Sequence, residues 1–215
     1  STTSSPTPSF ALDVGKLGGM YAGKIYLVGT EKGLGVRNAG SLNATTGQMH
    51  LNANGDLTNT GNMIANKDQI LIQASNVKNS GNISSTQQQI QIQADNIQNT
   101  GLIATRDEIK LNAQGKIDNN EGVINAGRID FTAQNLTNNK GKIEQTGQQQ
   151  LNIAAKNLDN TQGLIGQATV DPSGTGQTPG GTTSPSVTDP EQQSSAQDSS
   201  TVEVAPTDLT PKTFE

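Results

Sequence analysis

From Gln48 to Gly166 the apolar and polar positions recur with a period of about 20 residues. Successive units read QMHLNANGDLTNTGNM, QILIQASNVKNSGNI, QIQIQADNIQNTGLI, EIKLNAQGKIDNNEGVI, RIDFTAQNLTNNKGKI and QLNIAAKNLDNTQGLI. They align in columns. The first is Met49, Ile70, Ile90, Ile109, Ile129 and Leu151; two residues on come Leu51, Ile72, Ile92, Leu111, Phe131 and Ile153. The third is Ala in every unit, and the fourth is Leu57, Val77, Ile97, Ile117, Leu136 and Leu158. Then come Asn59, Asn79, Asn99, Asn119, Asn138 and Asn160, followed by Gly61, Gly81, Gly101, Gly122, Gly141 and Gly163. Met63, Ile83, Ile103, Ile124, Ile143 and Ile165 close the unit.

The apolar-x-apolar-x-Ala spacing is strand alternation, not the 3.6 spacing of a helix. Gly and Asn in every unit argue against helices as well. One unit buries too little to offset its ordering entropy, but identical columns let units stack, Ile on Ile and Ala on Ala. The predicted fold is therefore all-β: a parallel β-helix of about seven to eight coils, two or three short strands each. A variant coil precedes the regular ones. Ile25 and Leu27 fall in the first two columns, Gly29 replaces the Ala, and Val36, Asn38, Gly40 and Leu42 complete it, with a turn at Thr30–Gly33. Leu17 to Tyr21 supplies part of another, so the shaft is expected to rise roughly 30–40 Å. The expected core includes Ile25, Leu27, Leu51, Ile72, Ile92, Leu111, Phe131 and Ile153. No Pro lies between Pro8 and Pro172, as a ladder-bonded stack requires.

Two readings account for the Asn column. Stacked amides can satisfy one another and fix register, or Asn is there because it tolerates a left-handed corner. The Gly column is read as a bend that no Cβ can enter.

Composition sets the boundaries. Leu, Ile, Val and Phe make up only 43 of the 215 residues, and they concentrate in the repeat. Residues 1–13 are read as a flexible N-terminal segment, 14–166 as the repeat shaft and 167–215 as an acidic Ser/Thr/Pro/Gly/Gln-rich tail without a core, hence disordered. Formal charge divides similarly: +1 before position 167 and −6 after it, from a total of −5. Neither part has the clustered basic excess of a nucleic-acid binder. No run is long enough to span a bilayer, and no signal-peptide pattern opens the chain. In the tail, Val202 and Val204 form a short apolar patch that could cover the exposed last rung. The chain begins without Met, which suggests a processed product or a piece of something longer.

Catalytic signals are sparse. His50 is the only His, is flanked by inward Met49 and Leu51, and is expected to point into solvent. There is no Cys, so thiol chemistry and Cys-based metal sites are excluded. Asp107 and Glu108 are adjacent and expected to point apart. Gly15–Gly19 and Gly29–Gly35 lack the strand-to-helix context of nucleotide loops. The outward column Thr58, Lys78, Gln98, Asp118, Thr137 and Asp159 has mixed charge, and Gln87–Gln89 and Gln148–Gln150 read as corner spacers. No catalytic, cofactor or metal site is expected.

The stretch FALDVGKLGGMYAGKIYLVGTEKGLGVRNAG, positions 10 to 40, resembles the segment that opens the repeat region of filamentous haemagglutinin-like exoproteins, including contact-dependent growth inhibition proteins of Gram-negative bacteria. The units that follow resemble their haemagglutinin repeats, so the likeness covers about positions 10 to 166. It implies two-partner secretion through an outer-membrane β-barrel transporter and display as a β-helical fibre at the cell surface. It departs from the family pattern in showing no secretion domain before Ser1 and in ending its array near Gly166, so the residues recognised for secretion are expected outside this chain. The function placed first is a structural shaft segment of a secreted adhesin serving adhesion, aggregation or biofilm. The alternative is a presentation stalk of a growth-inhibition toxin, and a further one is a carbohydrate-active β-helix enzyme.

Overall fold

The computed structural model describes residues 10–13, 19–29, 32–33, 35–170, 177–179 and 202–204. Each repeat forms three strands on three faces. The first face stacks β3 (Ile25–Val28), β6 (Met49–Asn52) and β9 (Ile70–Gln73), then the leading halves of β12 (Ile90–Asn99), β14 (Glu108–Asp118), β16 (Arg128–Thr137) and β18 (Asn152–Asp159). The second face stacks β1 (Phe10–Asp13), β4 (Gly35–Asn38), β7 (Leu57–Asn59) and β10 (Asn76–Asn79), then the trailing halves of those long strands. The third stacks β2 (Met20–Ala22), β5 (Ser41–Ala44), β8 (Asn62–Ala65), β11 (Asn82–Ser85), β13 (Leu102–Thr105), β15 (Val123–Ala126), β17 (Lys142–Gln145) and β19 (Leu164–Val170). Every one of these pairings is parallel. The four long strands bend through the first corner and join two faces into a single twelve-stranded sheet, beside a nine-stranded one.

This is the parallel β-solenoid that the column spacing predicts. Register follows the columns: Met49 opposes Ile70, Ile70 opposes Ile90, Ile90 opposes Ile109, and Ile109 opposes Ile129. Inward residues are almost fully buried. Ile25, Leu27, Leu51, Ile72, Ile92, Leu111, Phe131 and Ile153 are 0–3% exposed, while Gln91, between Ile90 and Ile92, lies at the surface. Like side chains lie over one another, so the core is one continuous apolar column. At its C-terminal end Leu158 remains 42% exposed, with no strand paired beyond it on its face among the described residues.

Three boundaries differ from the sequence expectation. The stack starts at β1, before position 14, because Phe10–Asp13 pairs with β4. Beyond position 166, β20 (Gln177–Pro179) folds antiparallel on β19. A last strand, β21 (Val202–Val204), pairs with β3 at the opposite end of the shaft from the last rung, where this apolar patch was expected to add. The edge of β3 is a first-face edge, and an apolar-x-apolar strand fits that register. Most of the segment 1–13 expected to be flexible, and most of the tail 167–215 expected to be disordered, lie outside the described residues.

Candidate functional site

The most regular polar feature is the buried Asn column at the corner between the second and third faces. Asn38, Asn59, Asn79, Asn99, Asn119 and Asn138 are 0–2% exposed. Each side-chain amide donates to the carbonyl oxygen of the Asn one coil on: Asn38 Nδ2 to Asn59 Oδ1 at 2.8 Å, Asn59 to Asn79 at 2.8 Å, Asn79 to Asn99 at 2.9 Å, Asn99 to Asn119 at 2.8 Å, Asn119 to Asn138 at 2.7 Å, and Asn138 to Asn160 at 2.8 Å. The same amides donate to main-chain carbonyls of the corner, such as Asn79 to Leu102 O at 3.0 Å and Asn99 to Val123 O at 3.1 Å. A neutral amide buried in an apolar stack would otherwise be costly. The ladder has a direction. Its first acceptor, Asn38 Oδ1, is buried without a hydrogen-bond partner among the described residues.

The left-handed reading of these Asn residues fails, because none of them has positive φ. Left-handed conformations fall instead on Glu121 (φ 60°), Lys140 (φ 56°) and Gln162 (φ 55°), in the three coils where the corner carries one extra residue between Asn and Gly. In these wider corners Asp118 and Asp159 accept hydrogen bonds from the main-chain N–H of Asn120 (2.9 Å) and Thr161 (3.1 Å). The Thr161 hydroxyl, its N–H and Asn139 hold the Asp159 carboxyl below its ordinary pKa.

The Gly column is selected by close approach, not by backbone conformation. Among the described glycines only Gly19 and Gly33 have positive φ. A Cβ on Gly61, Gly81 or Gly101 would lie 2.0–2.2 Å from the carbonyl oxygen of Gly40, Gly61 or Gly81 in the preceding coil. On Gly122, Gly141 and Gly163 it would meet Asn99 O, Asn119 O and Asn138 O at 2.0–2.2 Å. The glycine carbonyls accept the next coil's N–H at about 2.9 Å, for example Asn82 N to Gly61 O and Leu102 N to Gly81 O, so the ladder runs through the corner unbroken.

Other polar columns escaped the sequence reading. Asn76 Nδ2 donates to Asp56 Oδ1 (2.9 Å), Asn96 Nδ2 to Asn76 Oδ1 (3.0 Å) and Lys116 N to Asn96 Oδ1 (3.1 Å), a second ladder at the corner between first and second faces. Gln69 Nε2 donates to Gln48 Oε1 and Gln89 Nε2 to Gln69 Oε1, so Gln89 of the first Gln triplet belongs to a third. Next to it, the in-register series Ala44, Ala65, Ser85, Thr105 and, further on, Ala126, Gln145 ends the third face. Fully buried Gln145 bonds to the main chain through both amide atoms, accepting from Ile129 N (2.9 Å) and donating to Gly147 O (3.3 Å). Extending the columns two residues past the final Ile would have found this series.

Among the described residues the titratable groups do not converge. His50 is half-buried against Tyr26, with ring centroids 4.7 Å apart and planes at 83°, and is not the freely solvated side chain expected. Desolvation first, and then Lys24, lower its pKa. Asp107 is exposed, whereas Glu108 pairs with Arg128 Nε at 3.4 Å one coil on. Burial raises the Glu108 pKa, and Arg128 opposes that shift. Lys116–Asp118 and Lys142–Glu144 are further pairs within single strands, each joining an exposed lysine to a half-buried carboxylate. Among the described residues no group of three His, Asp or Glu is placed to hold a metal ion. An open trough runs along the Asn–Gly corner, where Thr60, Ser80 and Thr100 repeat beside Leu102 and Val123, with Glu121 the titratable group of its lining. No helix among the described residues is long and apolar enough to cross a membrane.

No protein-family model matches the chain, and no solved structure matches it. Stretches of it are similar to curated proteins. A 65-residue stretch, 30% of this chain, is 49% identical to "Toxin CdiA" of Yersinia pestis. One of 56 residues, 26% of the chain, is 50% identical to "tRNA nuclease CdiA-2" of Burkholderia pseudomallei, and one of 71 residues, 31% of the chain, is 46% identical to "tRNA nuclease CdiA" of Yersinia mollaretii. Each match covers 2% of the relative's length. Through these stretches, and as a parallel solenoid, the chain shows its likeness to the contact-dependent growth inhibition proteins of the two-partner family.

Proposed function

We propose that this chain is a shaft segment of a contact-dependent growth inhibition exoprotein, a stiff spacer that holds an effector carried elsewhere away from the producing cell. The observation that carries this reading is the 46–50% identity to three proteins named CdiA, combined with an unbranched stack of parallel coils. The repeat pattern alone favours an adhesin. The named relatives are toxins and nucleases, and they move the reading to the presentation stalk. The haemagglutinin-type repeats span positions 14 to 166, and export runs through an outer-membrane transporter of a two-partner system to the surface of a Gram-negative cell. The chain's own contribution is mechanical: the buried Asn column fixes register, the Gly column admits close coil contact, and among the described residues the evenly spaced coils form no walled cleft for catalysis.

The test is co-culture. Producer cells carrying Ile92→Asp in this segment are mixed with sibling recipients that lack the producer's protective neighbouring gene. Recipient killing should fall to the level of a producer without the gene, while surface delivery of the protein with Gln91→Asp stays intact. Unchanged killing, with loss only of aggregation or host-cell adherence, would return the adhesin reading.

A further inference from the structure

We infer that Asn54 is a self-modification site: the main-chain nitrogen of Gly55 closes on its side-chain amide, and the residue converts to aspartate and isoaspartate. Asn54–Gly55 is the one Asn-Gly pair in the sequence. It lies at the corner between the first and second faces, just before Asp56 at the start of the second polar ladder. Asn54 is exposed and sits in a bend between β6 and β7, outside the ladder-bonded strands. Other Asn residues are placed differently. Those of the buried column, Asn38 to Asn138, have their amides bound from coil to coil. Asn120 and Asn139 accept main-chain N–H groups of the next coil, and they precede Glu121 and Lys140, whose side chains crowd the nitrogen that would have to attack.

The hydrogen bonds at this corner favour the step. The Asn54 carbonyl accepts from Gly33 N (3.1 Å) and the Gly55 carbonyl from Ser75 N (2.9 Å). Among the described residues the Gly55 N–H between them donates to no carbonyl. The Asn54 carbonyl and the Gly55 N–H belong to one conjugated peptide group, so a donor on that oxygen stabilises the anion left when the nitrogen loses its proton. Gly55 has no Cβ to crowd the nitrogen. The nitrogen attacks Cγ of Asn54, the Cγ–Nδ2 bond breaks, and Nδ2 leaves as ammonia with the proton that Gly55 lost. Solvent water then opens the five-membered imide at either carbonyl, giving aspartate or isoaspartate, and nothing is oxidised or reduced. Gln114–Gly115, at the same corner of a later coil, would need a six-membered ring and is the internal control. Both products add a negative charge beside Asp56, whose Oδ1 accepts from Asn76 Nδ2 at 2.9 Å. Isoaspartate also inserts a methylene into the main chain where Ser75 N bonds Gly55 O.

The experiment incubates the full purified chain in neutral and in mildly alkaline buffer and follows isoaspartate by enzymatic methyl labelling and peptide mapping. Isoaspartate should arise first in the peptide containing Asn54–Gly55, and its rate should rise about tenfold per pH unit, as the population of anionic nitrogen does. Asn54→Gln should slow formation at that peptide by at least about tenfold with an unchanged melting temperature, because the larger ring closes less readily. The peptide containing Gln114–Gly115 should stay unmodified over the same time. A synthetic peptide of residues 50–60 serves as the unfolded comparator, and the folded chain should react at least as fast. A folded chain slower than that peptide overturns the assignment, because the corner then shields Asn54. Isoaspartate arising first at another Asn, or undiminished in Asn54→Gln, overturns it as well. The assay reads neither killing nor secretion, so its failure leaves the stalk reading untouched, and the converse holds too.

Discussion

Asn99 sits mid-ladder: it accepts from Asn79, donates to Asn119 and holds Val123 O. Asn99→Ala strands the Asn119 oxygen in the core, and the expected cost is about 2–4 kcal/mol. Asn38→Ala should cost about half as much, because the Asn38 oxygen already lacks a donor and its loss removes one unsatisfied group. Chemical denaturation of both variants checks this, and equal costs would refute a directional ladder. Lys140 is an exposed non-glycine residue at φ 56°, so Lys140→Gly should stabilise by about 0.5–1 kcal/mol once the lost unfolded-state restriction is deducted. His50 provides a pH signature. Its folded pKa lies below the ordinary 6.5, so the unfolded state binds more protons in that range. This contribution to stability is complete above pH 6.5 and is lost as pH falls through the folded value. His50→Gln should remove that slope from a series of melting temperatures, and an unchanged slope would count against His50 as its origin.

In the strands, alternation decides what a charge costs. Ile92→Asp buries an unpaired carboxylate in the continuous core and should destabilise by several kcal/mol, on the order of 3–5. Gln91→Asp, on the outer side of the same strand, should change stability by less than about 0.5 kcal/mol. At the corner, Gly101→Ala places a methyl 2.2 Å from Gly81 O, so two coils must separate, and loss of cooperative melting is expected. The strands were legible because period-2 apolar spacing recurs in each unit. The corner was less so. One Asn to Gly spacing is two residues in the regular coils and three at Asn119–Gly122, Asn138–Gly141 and Asn160–Gly163, and the sequence does not say that the extra residue takes the left-handed conformation. Glu121, Lys140 and Gln162 share no side-chain chemistry that would mark it. Nor did the sequence say that His50 would lean on Tyr26, since those residues are 24 apart in the chain and meet only because their strands pair in register.

Across the molecule, a stack in which each coil touches only its neighbours has stability that sums along one axis. Hydrogen exchange should therefore be slowest in the middle coils, around β10 to β14, and speed up toward Leu158, which is partly exposed and has no strand paired beyond it among the described residues. The repeat pattern by itself determined that this chain forms an all-β parallel solenoid with one apolar column, because periodicity and column identity are local and survive without knowledge of long-range contacts. Three things required the tertiary arrangement. The direction of the amide ladder depends on which face of each amide meets the next coil. The exclusion of a Cβ at the Gly column depends on a carbonyl some 20 residues away. The pairing of Val202–Val204 with β3 joins segments far apart in the chain, and no local segment encodes it.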